Sequence, residues 1–177
     1  MRSLTVSTFG GPEVVELTDG PLPAPGPRQV RIRVAASSVN PIDLSTRAGR
    51  LADAGLMVAE LPVGLGWDVA GVVDAVGDGV RSFSDGDRVV GLRSQLFAPG
   101  AHAEAVVLDE PAVAPAPRSV PLVEAATLPL NALTADRALG LAGLRRDDTL
   151  LVTGAAGAVG GFALELAALH GLHTIAL

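Results

Sequence analysis

Cysteine, lysine and tyrosine are absent from this sequence of 177 residues. Without cysteine, disulfide bonds, thiolate metal ligands and cysteine nucleophiles are excluded. All 13 basic residues are arginines, and the formal net charge is −6. A mildly acidic chain that has no cluster of basic residues lacks the positive surface that nucleic-acid binding requires. We therefore expect no nucleic-acid partner.

Charged residues are scarce, at 18% of the chain, whereas apolar residues make up 49%. This composition predicts a packed core rather than disorder. The first ten residues lack a charged stretch followed by an apolar run, so no signal peptide is predicted. Residues 150–169 are apolar, but their glycines, Thr153 and Glu165 favour a buried strand and helix over a membrane span. We expect a soluble, cytoplasmic protein with no membrane partner.

The most informative stretch is residues 150–161, LLVTGAAGAVGG. An apolar run predicts a buried strand, small residues predict a sharp turn, and apolar residues beyond them share one face of a predicted helix. N–H groups at the start of such a helix can bind a diphosphate, which small side chains allow to approach. The pattern Ala155-x-Gly157-x-x-Gly160 has alanine where the strict dinucleotide fingerprint has its first glycine. Nucleotide binding is predicted, and a tight connection that binds nothing stays open as the alternative.

Short strands dominate the first part of the chain. Alternating apolar and polar side chains predict strands near residues 4–8, 14–18 and 30–34, and further short strands are predicted at 89–90 and 103–108. Residues 64–79 indicate a loop, then a strand with a glycine where another group approaches closely, then a turn. Asn40-Pro41 predicts the start of a short helix, with Asn40 as its N-cap. Beyond residue 119 come two helical patterns, a strand, a helix and the start of another strand. We therefore predict an α+β protein of two domains, an antiparallel barrel or sandwich over 1–120 and a β-α-β unit over 121–177.

Seven short motifs then identify a known family. They are SVNPID (38–43), GWDVAGVV (66–73), GDRV (86–89), GAHAE (100–104), AATLP (125–129), LTA (133–135) and the glycine turn. With these motifs in this order, the whole chain resembles the medium-chain dehydrogenase/reductase superfamily, in its zinc-independent quinone oxidoreductase branch, which is zeta-crystallin-like. The resemblance implies a GroES-like barrel at 1–120, as in the N-terminal domain of alcohol dehydrogenases, and an incomplete NAD(P)-binding Rossmann domain at 121–177.

The same resemblance makes a metal unexpected. Relatives that use zinc bind it through a cysteine, the histidine of a Gly-His-Glu triplet and a later cysteine. Here Asn40 matches the first position and the triplet reads Gly66-Trp67-Asp68. A zinc site needs three protein ligands, so we expect no metal. The resemblance implies hydride transfer from NADPH, with NADH as the alternative, to a small-molecule substrate that is a quinone or an activated alkene or carbonyl.

Individual site residues also follow from the resemblance. Asn40 and Thr134 match positions near the nicotinamide, and both are candidate catalytic and cofactor-binding residues. Ser45 matches a position where relatives often carry tyrosine, and it is the third catalytic candidate. Asp43 is expected to brace the helix and His102 to pack. The diphosphate is expected at the glycine turn, on Ala156, Gly157, Ala158, Val159 and Gly160.

The chain ends at Leu177, within the second strand of the implied Rossmann fold. Two parallel strands bury too little apolar surface to be stable alone, so we expect either a homodimer or a need for the missing C-terminal part. Three hypotheses stay open. The chain is the beginning of a longer NADPH:quinone reductase-like enzyme, a catalytically inactive truncated fragment, or a GroES-like interaction module.

Overall fold

The computed structural model describes residues 1–56, 58, 60–93 and 99–177. They form two compact units, Met1–Thr127 and Leu128–Leu177. The first unit consists mainly of antiparallel strands, and the second contains one pair of parallel strands and the two longest described helices. Within the described ranges, no helix combines the length and the hydropathy needed to cross a bilayer.

Two antiparallel sheets build the first unit. The smaller sheet, in the order β2-β1-β4, consists of β1 (Arg2–Val6), β2 (Val15–Asp19) and β4 (Val63–Gly64). The larger sheet, in the order β7-β3-β5-β6-β8, consists of β3 (Gln29–Ala36), β5 (Asp68–Val76), β6 (Arg88–Leu92), β7 (Ala105–Asp109) and β8 (Val113–Pro115). Because the central strands β3 and β5 each have neighbours on both sides, they carry the core of the unit.

Alternate side chains of β3, β5, β6 and β7, together with two residues from loops, Phe83 and Ala101, form the main apolar core. Its buried members are Val30, Ile32, Val69, Val73, Phe83, Val89, Ala101, Val106 and Leu108. On the opposite face of the sheet, Arg31 Nε of β3 forms an ion pair with Asp74 Oδ1 of β5 at 2.7 Å. The glycine predicted to permit a close approach, Gly71, does so, because a Cβ atom on it would lie 2.2 Å from the Arg33 carbonyl oxygen.

Three short helices belong to the first unit. They are α1 (Pro41–Arg47), α2 (Arg50–Asp53) and α3 (Leu122–Ala125), and 3-10 turns occur at Pro12–Val14 and Glu110–Ala112. Helix α1 begins as predicted, with Asn40 as N-cap and proline at the first helical position, where its missing N–H has no intrahelical partner to lose.

The second unit is a helix followed by a β-α-β element. It contains α4 (Leu128–Ala142), β9 (Thr149–Val152), α5 (Ala158–Leu169) and β10 (His173–Ala176). Strands β9 and β10 are parallel, with Thr149 opposite His173, and α4 packs on α5. Pro129 lies in the first turn of α4, where a proline costs no intrahelical hydrogen bond. The predicted α+β fold, antiparallel strands followed by β-α-β, is confirmed.

Candidate functional site

The glycine turn lies in the second unit, between the carboxyl end of β9 and the amino end of α5. Gly154 has φ +69°, a left-handed conformation that favours glycine. Gly157 is the N-cap of α5, and its N–H donates to the Gly154 carbonyl oxygen at 2.9 Å. The Ala155 N–H donates to the Leu177 carbonyl oxygen at 3.1 Å and so joins the turn to the end of β10. The chain therefore makes the sharp strand-to-helix connection that a diphosphate site requires.

The amino end of α5 is open to solvent within the second unit. Ala156, Gly157, Ala158 and Val159 are exposed, and Gly160 is half-buried. The N–H groups of Ala158, Val159 and Gly160 lack intrahelical acceptors, because a helix has no carbonyl group one turn before its first residues. Such N–H groups, at the positive end of the helix dipole, can bind oxygen atoms of a diphosphate. All five residues predicted for the diphosphate lie at this turn.

Gly160 allows the turn to be this narrow. A Cβ atom on it would lie 2.3 Å from the Gly154 carbonyl oxygen and 2.9 Å from the Ala155 Cα. Both are backbone atoms, which cannot rotate away as a side chain could. The adjacent Gly161 differs, since nothing in the described part of the chain lies within 4 Å of its Cβ position. Packing of the helix start against the turn therefore requires glycine at 160 but not at 161.

Thr134 belongs to the same unit as the glycine turn. It lies on α4 with an exposed side chain, and its hydroxyl donates to the Leu130 carbonyl oxygen, one helical turn earlier, at 2.6 Å. The hydroxyl hydrogen is thus used within the helix, while the lone pairs of Oγ1 can still accept a hydrogen bond. In this conformation Thr134 can accept a hydrogen bond from a cofactor amide but cannot donate one.

Asn40 lies in the first unit, where it is 5% exposed. Its Nδ2 donates to Asp68 Oδ2 at 2.6 Å and to Ser38 Oγ at 3.0 Å. Ser38 Oγ in turn donates a short hydrogen bond to the same oxygen of Asp68. Both amide hydrogens of Asn40 are therefore engaged inside the unit. For Asn40 to donate a hydrogen bond to a substrate, one of these contacts has to break.

Asp43 connects α1 to the segment before β5. Its Oδ2 accepts the Asn40 N–H at 2.8 Å, and its Oδ1 accepts the Gly66 N–H at 3.0 Å. Burial raises the pKa of Asp43 above its ordinary value, although these two donors and the nearby His102 act to lower it. The side chain is buried and both oxygens have backbone donors. Asp43 thus braces the helix, as the sequence suggested.

Ser45 lies on α1 and is half-buried. The next residue, Thr46, accepts a hydrogen bond from the indole Nε1 of Trp67 at 3.4 Å. Trp67 also packs against the second apolar cluster of the unit, which consists of Val6, Val63 and Leu65. His102 Nε2 lies 3.0 Å from the Ser38 carbonyl oxygen and donates to it, because a carbonyl only accepts. Asn40 and Ser45 are therefore brought together on one helix of the first unit, whereas Thr134 and the glycine turn belong to the second.

Sequence reasoning missed a buried arginine in this region. Arg93 is 5% exposed, and its Nη1 donates to the Gly64 carbonyl oxygen at 3.1 Å. Its Nη2 has no partner among the described residues. Burial lowers the pKa of Arg93 to about 10, and Asp43 opposes this shift. The sequence did contain a signal for this burial. Every second residue along β6 and just after it is buried, at Val89, Gly91 and Arg93.

The residues at the position of the zinc site in related enzymes do not fit a zinc ion. Asp68 is the only carboxylate of the Gly66-Trp67-Asp68 triplet, and the Asn40 amide donates a hydrogen bond to it. The Trp67 indole is a donor only. In the described ranges, no group of three histidine or carboxylate side chains has a geometry that could hold a metal ion. A bound zinc ion would have to displace the Asn40–Asp68 hydrogen bond and would then meet a single anionic ligand.

Comparison with known proteins gives consistent matches along the chain. The family model of the alcohol dehydrogenase GroES-like domain matches residues 26–118. Quinone oxidoreductase from Rattus norvegicus is 37% identical over 177 residues, which cover 99% of this chain and 52% of that protein. The chain thus spans about half the length of the curated relatives it matches.

Solved structures agree with these matches. The quinone oxidoreductase from Coxiella burnetii has a TM-score of 0.86 at 34% identity, covering 99% of this chain and 56% of that one. A mycobacterial protein complexed with NADPH has a TM-score of 0.84 at 35% identity, covering 99% of this chain and 52% of that one. The family model covers more than half of the chain and the relatives align with nearly all of it. The chain therefore belongs to the alcohol dehydrogenase GroES-like domain family, and along nearly its whole length it is similar to quinone oxidoreductases.

Proposed function

We propose that this chain contributes the GroES-like unit and the diphosphate-binding turn to an NADPH-dependent oxidoreductase, which reduces a quinone or an activated alkene or carbonyl without zinc. The observation that supports this most directly is the open amino end of α5, where Gly160 permits a narrow turn and three N–H groups lack intrahelical acceptors. Bound NADPH would supply the hydride. The residues of this chain bind the cofactor, orient the reactants and provide hydrogen bonds.

In the proposed function, the N–H groups of Ala158, Val159 and Gly160 bind the diphosphate. Thr134 accepts a hydrogen bond from the nicotinamide end of the cofactor, because its own hydrogen is donated to Leu130. Asn40 fixes the start of α1, since both of its amide hydrogens are engaged within the unit. Of the three catalytic candidates, Ser45 is therefore the one whose hydroxyl we assign as hydrogen-bond donor to the substrate oxygen.

NADPH is proposed as the cofactor because a relative with 35% identity is known as its NADPH complex. Fluorescence titration of the purified chain with NADPH and with NADH tests this directly. We expect NADPH to bind at least about tenfold more tightly, a difference of about 1.4 kcal/mol. Equal affinities would refute the preference for NADPH, and no binding of either nucleotide would refute the nucleotide site itself.

A matched pair of variants locates the binding site. Val159 is 37% exposed at the start of α5, and Val123 is 66% exposed on α3. In Val159→Glu, the added carboxylate lies beside the proposed diphosphate, and repulsion should weaken NADPH binding about tenfold or more. Val123→Glu adds the same charge to a helix of the other unit and should leave the affinity unchanged. Equal affinities of the two variants would place the nucleotide elsewhere.

The proposal also includes a partner that covers exposed apolar residues of the second unit. Its exposed residues include Leu151, Leu169, Ile175 and Leu177, at 55%, 81%, 55% and 79% exposure. Large exposed apolar patches usually mark interfaces. We propose that a second copy of the chain, or the further half that the relatives possess, covers this surface. Sedimentation equilibrium of the purified chain distinguishes the two, because only the first makes the 177-residue chain a dimer.

A further inference from the structure

Helix α1, which carries Ser45, is hydrogen-bonded to three consecutive residues, Gly66, Trp67 and Asp68. The Gly66 N–H donates to Asp43 Oδ1 at 3.0 Å, and the Trp67 indole donates to Thr46 Oγ1 at 3.4 Å. Asp68 accepts the amide of Asn40, the N-cap of the helix, at 2.6 Å. Each residue of the triplet therefore contacts a different position of α1, one at its N-cap, one in its first turn and one in its second turn.

The side chains that accept these three hydrogen bonds are buried. Asp68 is 0% exposed, Asp43 is 4% exposed and Thr46 is 1% exposed. Hydrogen bonds to a buried carboxylate are stronger than those between neutral groups, so the Asn40–Asp68 and Gly66–Asp43 contacts should contribute most. The Trp67 contact is the longest and should contribute least. Packing of Trp67 on its apolar cluster nevertheless fixes where the indole lies.

We propose that Trp67 and Asp68 are positioning residues, which together with Gly66 attach α1 at three points and so set the place of Ser45. In this chain a direct amide–carboxylate hydrogen bond between Asn40 and Asp68 connects the same helix to β5. The three-point attachment stands on these contacts alone, whereas its effect on catalysis rests on the proposed function.

The single tryptophan of the chain provides the readout. Its indole N–H gives one NMR signal, and the donor contact with Thr46 makes that signal sensitive to the docking of α1. In Asp68→Asn, a neutral amide replaces the carboxylate that accepts from Asn40 and Ser38, so the N-cap contact is weakened and the indole signal should shift. Asp74→Asn is the matched control, since Asp74 lies on the same strand and pairs with Arg31 instead. Its indole signal should stay at the wild-type position.

A double variant that exchanges the two side chains distinguishes loss of the hydrogen bond between α1 and β5 from a general loss of packing. In the double variant Asn40→Asp with Asp68→Asn, the carboxylate and the amide change places, and the indole signal should return toward the wild-type position. An unshifted signal in Asp68→Asn, or an equal shift in Asp74→Asn, would overturn the proposal. Zinc chloride added to the wild-type chain should leave the signal unchanged. A shift at stoichiometric zinc would show that a metal displaces the Asn40–Asp68 contact, which also overturns it.

Should Asp68→Asn not fold, Trp67→Phe replaces it, because phenylalanine keeps most of the packing and removes one attachment. Exchange of the Ala48 amide hydrogen, which donates to the Leu44 carbonyl oxygen at the end of α1, should become about threefold faster, as expected for one net hydrogen bond. Unchanged exchange would refute the attachment.

Kinetics test the effect on Ser45. Asp68→Asn should lower kcat about tenfold or more while the KM for NADPH changes less than threefold, since the nucleotide binds in the other unit. An unchanged kcat with a shifted indole signal would refute the positioning of Ser45. If the wild-type chain has no turnover either alone or joined to the further half that the relatives possess, the proposed function fails, and the indole signal alone then decides on the attachment.

Discussion

Substitution of Gly160 by alanine tests the glycine turn most sharply. The added Cβ atom would lie 2.3 Å from the Gly154 carbonyl oxygen and 2.9 Å from the Ala155 Cα. Real Cβ atoms do not approach other atoms so closely, and both contacts are with backbone. The start of α5 and the turn therefore have to move apart, which displaces the N–H groups that we assign to the diphosphate.

The size of this effect can be isolated by comparison with Gly161→Ala. Both positions lie in the first turn of the same helix, so replacing glycine by alanine should stabilise each by about 1 kcal/mol through helix propensity. Only position 160 adds a steric cost, which for overpacked sites is about 1–3 kcal/mol. The two variants should thus differ by about 1–3 kcal/mol in unfolding free energy, with Gly161→Ala the more stable.

Urea unfolding followed by circular dichroism measures the difference in stability, and NADPH titration measures the difference at the site. We expect NADPH affinity to fall about tenfold or more in Gly160→Ala, equivalent to about 1.4 kcal/mol, and to change less than about twofold in Gly161→Ala. If the two variants have equal stability and equal affinity, the turn tolerates a side chain at 160, and the steric reasoning is wrong.

Further predictions concern the first unit. Gly71→Ala places a Cβ 2.2 Å from the Arg33 carbonyl oxygen and should lower the unfolding free energy by about 1–3 kcal/mol, whereas Gly20→Ala, with open space at its Cβ, should have little effect in the same urea assay. Burial raises the pKa of Asp43 in the folded protein above 3.8, so the stability that Asp43 contributes should fall as the pH rises from 3.8 through its folded-state pKa. The urea midpoint of Asp43→Asn should not show this fall. Glu110 should behave in the opposite way, since two backbone N–H groups lower its pKa; the stability it contributes should be lost as pH falls below about 4.5, and Glu110→Gln should remove that loss. A shared pH profile of these two variants would contradict both assignments.

Local sequence signals were enough for much of the fold. The connection from β9 to α5 was predicted because an apolar run, a small-residue turn and helical spacing follow one another within about 20 residues. The start of α1 was predicted because Asn and Pro have strong and different preferences at the beginning of a helix. Gly71 was recognised because a glycine inside a strand commonly marks a close backbone approach. Each of these signals acts over neighbouring residues, and so needs no knowledge of the tertiary structure.

The contacts around α1 could not be predicted in this way. Asn40 and Asp68 lie 28 positions apart, and only the folded arrangement of α1 and β5 brings an amide to the carboxylate. The sequence identified Asn40 as a cap and as a catalytic candidate, but it could not show that both amide hydrogens have partners. Arg93 was missed because arginine is rarely buried, although the alternation along β6 pointed inward at that position. Hydrogen bonds between side chains that are distant in the sequence thus limited the prediction of the site more than the prediction of the fold.

The donor set of the first unit restricts the substrates that the proposed enzyme can use. A metal ion that polarises a carbonyl contributes several kcal/mol to stabilising developing negative charge. With Asn40 engaged by Asp68 and Ser38, the Ser45 hydroxyl offers one neutral hydrogen bond, worth about 0.5–1.5 kcal/mol. Such a site suits acceptors that are already electrophilic, such as quinones and activated alkenes, better than simple ketones. Turnover of a quinone at a much higher kcat/KM than that of a simple ketone would support this reasoning, and comparable values would refute it.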